Sequence, residues 1–247
     1  LIAAEDTRRT RQLLNDFEIK KTLTSYHEHN KVSSGLKLIE SLIEGKSIAL
    51  VSDAGMPGIS DPGADLVQEA IKNLIEIDVL PGPTAFVNAL VLSGLDTREF
   101  HFVGFLDRNK KKRQSQLLKL KPLECTLIFY EAPHRIKMML KDLYKQLGNR
   151  QVAVARELIK KFEEVLRGSL LEIVELFEEK EIRGEFVVVV SGNDEVIVEE
   201  DEFSSEEWLI KKIQEGMTKK EAIRWVADKK NVPKKEIYSL AIKLFDE

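Results

Sequence analysis

The stretch 47–63, SIALVSDAGMPGISDPG, leaves this chain the fewest options. Residues 47–51 form a short apolar run, long enough for one buried strand. Asp53, Gly55, Pro57, Gly58, Asp61, Pro62 and Gly63 then crowd together, and neither helix nor strand survives that density of glycine and proline. From Ala64 the sequence ADLVQEAIKNL reads as helix, with Asp61 or Ser60 placed to cap its start. The unit is therefore strand, rigid loop, helix, which is where open α/β sheets hold ligands. Its 12 loop residues, 52–63, exceed the roughly 2–6 usual for such a connection. A tight connection without a ligand is the plainer alternative.

With 247 residues, 43% hydrophobic and 32% charged, the chain has room for one large or two to three small globular domains. A single cysteine, Cys125, rules out a disulfide framework and a cysteine-based zinc site and fits a reducing cytoplasm. No run of 18 apolar residues and no signal peptide is present, so no membrane partner is expected. The first residue is Leu1, and LIAAE reads as the inside of a strand, so residues are expected to precede it.

Taken in order, strands are expected at 1–5, 22–26, 47–51 and 75–80, with helices at 7–16, 33–44, 64–74 and 84–93. Such alternation predicts a mostly parallel sheet. The break at 94–98 marks a first domain of 1–97. A second α/β domain, 98–193, has expected strands at 100–105, 125–130, 151–155, 162–166 and 186–190 and helices at 110–120, 134–147 and 170–179. Four consecutive valines after Phe186 require a buried central strand. Residues 194–207 hold eight acids and no base, the composition of a solvated linker. The last segment, 208–247, has ten Lys/Arg against six Asp/Glu and reads as a small basic helical domain.

Several strand ends gather polar or glycine-rich residues: 53–63, 81–85, 130–135 and 156–157, with Gly184-Glu185 opening a further strand. Facing α/β units would bring them into one cleft, a preferred ligand site. For Thr84 the plainer role is a helix N-cap. Neither Gly-x-Gly-x-x-Gly nor a P-loop occurs, which disfavours nicotinamide and triphosphate ligands, and no Gly-x-Ser-x-Gly turn supports hydrolysis. His27 and His29 lack an obvious third ligand, so no metal is expected. Basic residues fall in runs: Arg8, Arg9 and Arg11; Arg108, Lys110, Lys111, Lys112, Arg113, Lys119 and Lys121; Arg156, Lys160 and Lys161. Each alone could be a solvated face, but together with the basic tail they point to a polyanion.

The stretches AEDTRRT, SYHEHN, VSDAGMPGISDPG, LPGPTAFVNALVLSGL, FVGFL, FYEAPHR, ARELIKKFEE and GEFVVVV span 3–191 nearly end to end. Their conjunction resembles the tetrapyrrole-methylase superfamily, and within it the branch that methylates ribosomal RNA. The resemblance implies two α/β domains with S-adenosylmethionine in the cleft between them, and a homodimer. It implies 2′-O-methylation of a cytidine in the decoding region of 16S rRNA, free or in the small ribosomal subunit. Members of that branch begin with a further strand and a glycine-containing loop that this sequence does not include. Carried over by position, the cofactor contacts are Asp53, Ala54, Gly55 and Met56, then Thr84 and Ala85, Tyr130 and Glu131, and Gly184 and Glu185. Glu157 and Glu5 are candidates for the general base. Arg8, Arg9, Lys110, Lys111, Lys112, Arg113, Arg135, Arg156 and Lys160 are candidates for holding RNA phosphate. Other readings are a same-fold methylase of a small substrate, such as a corrinoid precursor or diphthine, and a non-catalytic RNA-binding assembly factor.

Overall fold

A computed structural model describes residues 1–194, 203–230 and 232–245. The chain divides into two compact units at 194/195; most of the acidic stretch, 195–202, lies outside the described residues.

The first unit holds two sheets. Strands β1 (Ile2–Ala4), β2 (Leu23–Ser25) and β3 (Ala49–Val51) form an all-parallel sheet in the order β2-β1-β3. Helices α1 (Thr7–Asp16), α2 (Lys31–Ile43) and α3 (Gly63–Lys72) follow them in turn. Asp6 caps α1 by accepting from the Arg8 amide. The core here is small: Ala3, Tyr26, Leu38, Ile39, Leu66 and Ala70. All three carboxyl ends lie on one side, because the strands are parallel.

The expected strand at 75–80 does not form. The segment has no regular structure and joins neither sheet, with Ile77, Val79 and Leu80 exposed. Its apolar residues suit a strand, but a strand also needs a neighbouring backbone, and among the described residues none lies beside it.

Helix α4 (Ala85–Ser93) leads to the second sheet, ordered β4-β5-β8-β6-β7. Its strands are β4 (Phe100–Phe105), β5 (Thr126–Glu131), β6 (Gln151–Arg156), β7 (Glu164–Ser169) and β8 (Phe186–Val190). Only β4 and β5 pair in parallel. Strand β8 inserts antiparallel between β5 and β6, and β7 pairs antiparallel with β6, so the mostly parallel pattern expected of the first domain holds there and does not extend to this sheet. All five residues of β8 are buried, as the valine run requires.

Helix α4 packs on one face of this sheet through Ala89 and Leu90 against Ile128, Ala153, Ala155, Val187 and Val189. The other face carries α5 (Lys110–Leu120), α6 (Ile136–Leu147) and α7 (Leu170–Glu179). That layer buries Leu117, Phe129, Met139, Leu143, Phe177 and Val188 at 2% exposure or less. The strand directions bring the ends of β4, β5 and β6 and the start of β8 to one edge.

The second unit contains α8 (Ser205–Gln214), α9 (Lys219–Lys230) and α10 (Lys234–Phe245). Ser204 and Glu207 form a reciprocal capping box at the start of α8. Leu209, Ala222, Val226, Ile237 and Ala241 make its core.

Candidate active site

Sequence places carboxylates just beyond β1 and β3, and the parallel pairing brings them together. The Asp53 amide donates to Glu5 Oε2 at 3.1 Å, and the Asp6 amide donates to Asp53 Oδ1 at 3.1 Å. Each strand end is thus tied to the other by a carboxylate. Arg9 Nη1 lies 3.5 Å from Asp53 Oδ2, whereas Arg8 is turned onto Asp6.

Beyond Asp53 the loop is held in shape by its own side chains. Ser52 Oγ donates to the Gly55 carbonyl at 3.1 Å. The Asp61 carboxylate accepts from the amides of Gly58 and Gly63, the latter at 2.7 Å, and so satisfies the first amide of α3, although the N-cap position itself is Pro62 and neither Asp61 nor Ser60. Tyr26 Oη donates to the Pro62 carbonyl at 2.9 Å. Ser60 takes φ +64°, outside the usual range for a side-chain-bearing residue. Asp61 and Tyr26, neither singled out as a site residue, are what make this loop rigid. A conformation-setting aspartate before Pro-Gly is a readable turn signal; the Tyr26 contact spans 36 positions and is not.

The loop closes on the rest of the first unit at two points. Gly55 has φ +75°, and a Cβ there would stand 3.2 Å from the Pro83 carbonyl. A Cβ on Gly104, at the bulge in β4, would stand 3.1 Å from Ser60 Oγ. Residues 53–63, the Pro81–Ala85 turn and the end of β4 therefore meet.

Thr84 is the N-cap residue of α4, yet its side chain makes no capping bond. The amide of Phe86 donates instead to Tyr130 Oη at 3.2 Å. Tyr130 thereby ties the end of β5 to the start of α4, and Phe86, Phe102 and Phe105 surround it. Burial raises the Tyr130 phenol above its ordinary pKa.

Glu131 departs from its expected role. Period-two alternation puts it on the α5–α6 face with Leu127 and Phe129, opposite Tyr130. It is 2% exposed, accepts from the Ala132 amide, and lies 3.4 Å from Arg135 Nη2. Desolvation raises its pKa. Two expected phosphate contacts are corrected in the same layer. Arg113 is 1% exposed, pairs with Asp142 at 2.7 Å and donates to the Asp107 and Arg108 carbonyls. Arg135, with a side chain 12% exposed, pairs with Glu131 and donates to the Leu106 carbonyl. Both guanidinium groups are held on protein carboxylates and carbonyls beneath the surface, not presented to solvent as a phosphate contact would require. Lys110, Lys111 and Lys112 are exposed, in the first turn of α5.

At β6 and β8 the expected residues do converge. The Glu157 amide donates to the Glu185 carbonyl, and the Glu185 amide donates back to Glu157 Oε1 at 3.0 Å. Lys160 Nζ bridges Glu157 and Glu185 at 3.1 and 3.2 Å. Gly184 has φ +82°, and a Cβ there would lie 2.4 Å from Glu157 Cγ. The Glu185 amide first, then Lys160, lower the Glu157 pKa. A carboxylate held this way is a weak proton acceptor, so its geometry is that of a positioning residue. Arg156 is half-buried, its nearest carboxylate Glu164 at 3.8 Å.

Comparison with known proteins agrees with this layout. Residues 1–174 match the family of tetrapyrrole (corrin/porphyrin) methylases. The chain is 51% identical to ribosomal RNA small subunit methyltransferase I of Halalkalibacterium halodurans, covering 97% of this chain and 84% of the relative. It is 48% identical to the protein of the same name from Bacillus subtilis, covering 96% and 83%. Among solved structures, uroporphyrin-III C-methyl transferase from Thermus thermophilus, complexed with S-adenyl homocysteine, shares the fold at a TM-score of 0.51 and 16% identity over 77% of this chain and 84% of that one.

Proposed function

This chain belongs to the tetrapyrrole methylase family, and on that premise we propose that it transfers a methyl group from S-adenosylmethionine to the 2′-hydroxyl of a cytidine in the decoding region of small-subunit ribosomal RNA. The observation that carries the reading is the meeting of the 53–63 loop with the Pro81–Ala85 turn. A glycine at φ +75° sits beside Pro83, and a helix start there is capped by Tyr130 rather than by its own Thr84. Those features suit a ligand lying close to backbone, so the residues fit the cofactor. Asp53, Ala54, Gly55, Met56, Thr84 and Ala85 would hold it, with Tyr130 fixing the cradle. Gly184 and Glu185 form a further wall, kept in place by Glu157.

S-adenosylmethionine supplies an electrophilic methyl group on a sulfonium. The chain's part is to bring the ribose oxygen in line with that methyl, and much of the rate comes from such positioning. As the oxygen–carbon bond forms and the carbon–sulfur bond breaks, the hydroxyl proton must leave. Glu5, at the end of β1 beside Asp53, is the group we assign to receive it. Arg9 is the basic side chain nearest Asp53, Lys160 the one nearest Glu157 and Glu185, and Arg8 is turned onto Asp6. Lys110, Lys111 and Lys112 occupy the first turn of α5, where cations oppose the helix dipole; an RNA phosphate would offset that. A second copy of the chain is the proposed partner in solution. Val87, Val91 and Leu92 of α4 and Leu74, Val79 and Leu80 leave apolar surface exposed. The cytoplasm, where ribosomes are assembled, is the proposed location.

The test is methyl transfer from labelled S-adenosylmethionine to small ribosomal subunits from cells lacking the gene, with the product mapped by mass. A single 2′-O-methylcytidine in the decoding region is expected. Label on a small tetrapyrrole, or no transfer, would refute the reading.

A further inference from the structure

The connection between β6 and β7, residues 157–163, is held in a shape its sequence does not favour. Glu157 has φ +50° and Ile159 has φ +64°. Left-handed backbone is uncommon for a residue with a side chain, and for a β-branched one it is a genuine outlier. Of five such residues other than glycine among the described residues, two stand in this one loop. Bonds inside the loop fix the turn. The Ile159 amide donates to Glu163 Oε2 at 2.6 Å, the Lys160 amide to the Glu157 carbonyl at 3.0 Å, and the Glu163 amide to the Lys160 carbonyl at 3.1 Å. Leu158, between the two strained residues, tucks into the apolar cluster on the α4 side of the sheet, which also takes in Ala85, Phe86 and Tyr130.

The result is outward display. Ile159 is 67% exposed and Phe162 is 63% exposed, although burial would favour both rings and branched chains beside Leu158. Backbone strain of this kind gathers at ligand clamps. The place suits one. Phe186 of β8 pairs with Glu131 on one side and with Arg156 on the other. A single strand therefore separates the end of β5 from the root of this loop, a backbone distance of about 10 Å at two strand spacings. A nucleotide whose ribose lies at the Tyr130 end can place its base here.

The nearby charges narrow the ligand. Glu157 is held by the Glu185 amide and Lys160, Glu163 by the Ile159 amide, and Glu164 by Lys180 at 2.6 Å. Lys161 is exposed, and among the described residues no carboxylate pairs with it; its Nζ stands 5.6 Å from the Phe162 ring centre. A flat ring at solvent with a cation beside it matches an unstacked base and its phosphate, as single-stranded RNA presents them. An apolar protein surface would instead bury Lys161 with no anion to meet it.

We propose that the 157–163 loop positions the substrate, with Phe162 stacking on the base of the nucleotide to be methylated and Lys161 meeting a phosphate beside it. The proposal rests on the reading that the substrate is RNA, and Phe162 acts on position, not on the methyl transfer itself.

The test uses the whole chain and a labelled decoding-region RNA fragment carrying 5-iodocytidine at the target position. The photo-cross-link of that base to a stacked aromatic side chain is mapped by mass and is expected at Phe162. Phe162→Ala should weaken binding of the fragment about 5- to 150-fold, the range for one base stacked on a ring. Phe162→Trp should bind as the wild type does, whereas Phe162→Leu, apolar but without a ring, should not. Affinity for S-adenosylhomocysteine by calorimetry is expected to stay the same in every variant. A cross-link at another residue, or none, would overturn the assignment, as would equal affinity of the Leu and Trp variants; methyl transfer by the wild type would then leave the enzyme reading intact. Sedimentation showing that Phe162→Ala splits a dimer, with RNA affinity unchanged, would make the loop an interface between copies instead. Absence of methyl transfer alongside a Phe162 cross-link would strike the enzyme reading and spare this one.

Discussion

The two sheets of the first unit are built to opposite specifications. The first has strands of three residues each, a small core, and a long loop shaped by Asp61, Ser52 and Tyr26. The second has strands of five or six residues and helices packed closely on one face. Even its charges are turned inward, as Arg113–Asp142 and Glu131–Arg135 show. The two halves divide the labour. The second half supplies stability and a fixed edge, and the first supplies loops whose shape is set locally and can be spent on a ligand. Carboxylate staples join neighbouring strand ends in both, Glu5 with Asp53 in one and Glu157 with Glu185 in the other.

The division can be broken most directly in the core. Phe129→Ala should destabilise the first unit by about 3–5 kcal/mol, because Phe129 is wholly buried between β5 and the helical layer. Leu38→Ala in the smaller core should fall toward the low end of the roughly 2–5 kcal/mol seen for such truncations. Urea unfolding of both variants measures the gap, and equal losses would erase the distinction.

Helix α5 offers a sharper version within four consecutive residues. Arg113→Ala leaves Asp142 without its buried partner, a loss of about 3–5 kcal/mol. Neutralising Lys110, Lys111 and Lys112 together should change stability by no more than about 0.5 kcal/mol per site while weakening RNA binding and flattening its salt dependence. Thermal melts and a salt series on an rRNA fragment separate the two outcomes. Loss of RNA affinity in Arg113→Ala at a temperature where it stays folded would return that residue to the interface.

The smaller effect is at the Glu157 staple. Its folded pKa is depressed below the ordinary 4.5, so the carboxylate contributes stability above that pH. The contribution is lost as pH falls through the lower folded value. Glu157→Gln should therefore lower stability modestly at pH 7 and remove part of the decline below pH 4.5. Parallel denaturation curves across that window, with the wild-type decline retained, would show that Glu157 is not a titrating staple.

Much of this was readable from residue order, and the failures have physical causes. The 53–63 loop and the buried valine strand follow from local chemistry. The position of β8 between β5 and β6 does not, since pairing is chosen by partners far along the chain. The segment 75–80 has strand composition but no adjoining backbone. Arg113 shares a helical face with Leu117 and Leu120 at spacings of four and seven, which marks it as inward-facing within a basic run. Glu131 likewise follows Leu127 and Phe129 by twos. In both cases the period of the apolar neighbours, not the charge, sets which way the side chain faces. The bonds from the Asp53 amide to Glu5 and from the Asp6 amide to Asp53 cannot be read from residue order, because they exist only once β1 and β3 lie side by side.

The central claim is that the loops of the first half hold the methyl donor. Calorimetric titration of S-adenosylhomocysteine into the protein and its Asp53→Ala variant tests it. Losing a hydrogen bond to a charged group is worth roughly 1.5–3 kcal/mol, or a weakening of about 10- to 150-fold. A loss in that range is expected, with stability lowered by only about 1 kcal/mol for the bond that Asp53 accepts from the Asp6 amide. Unchanged affinity in a folded Asp53→Ala variant would contradict it.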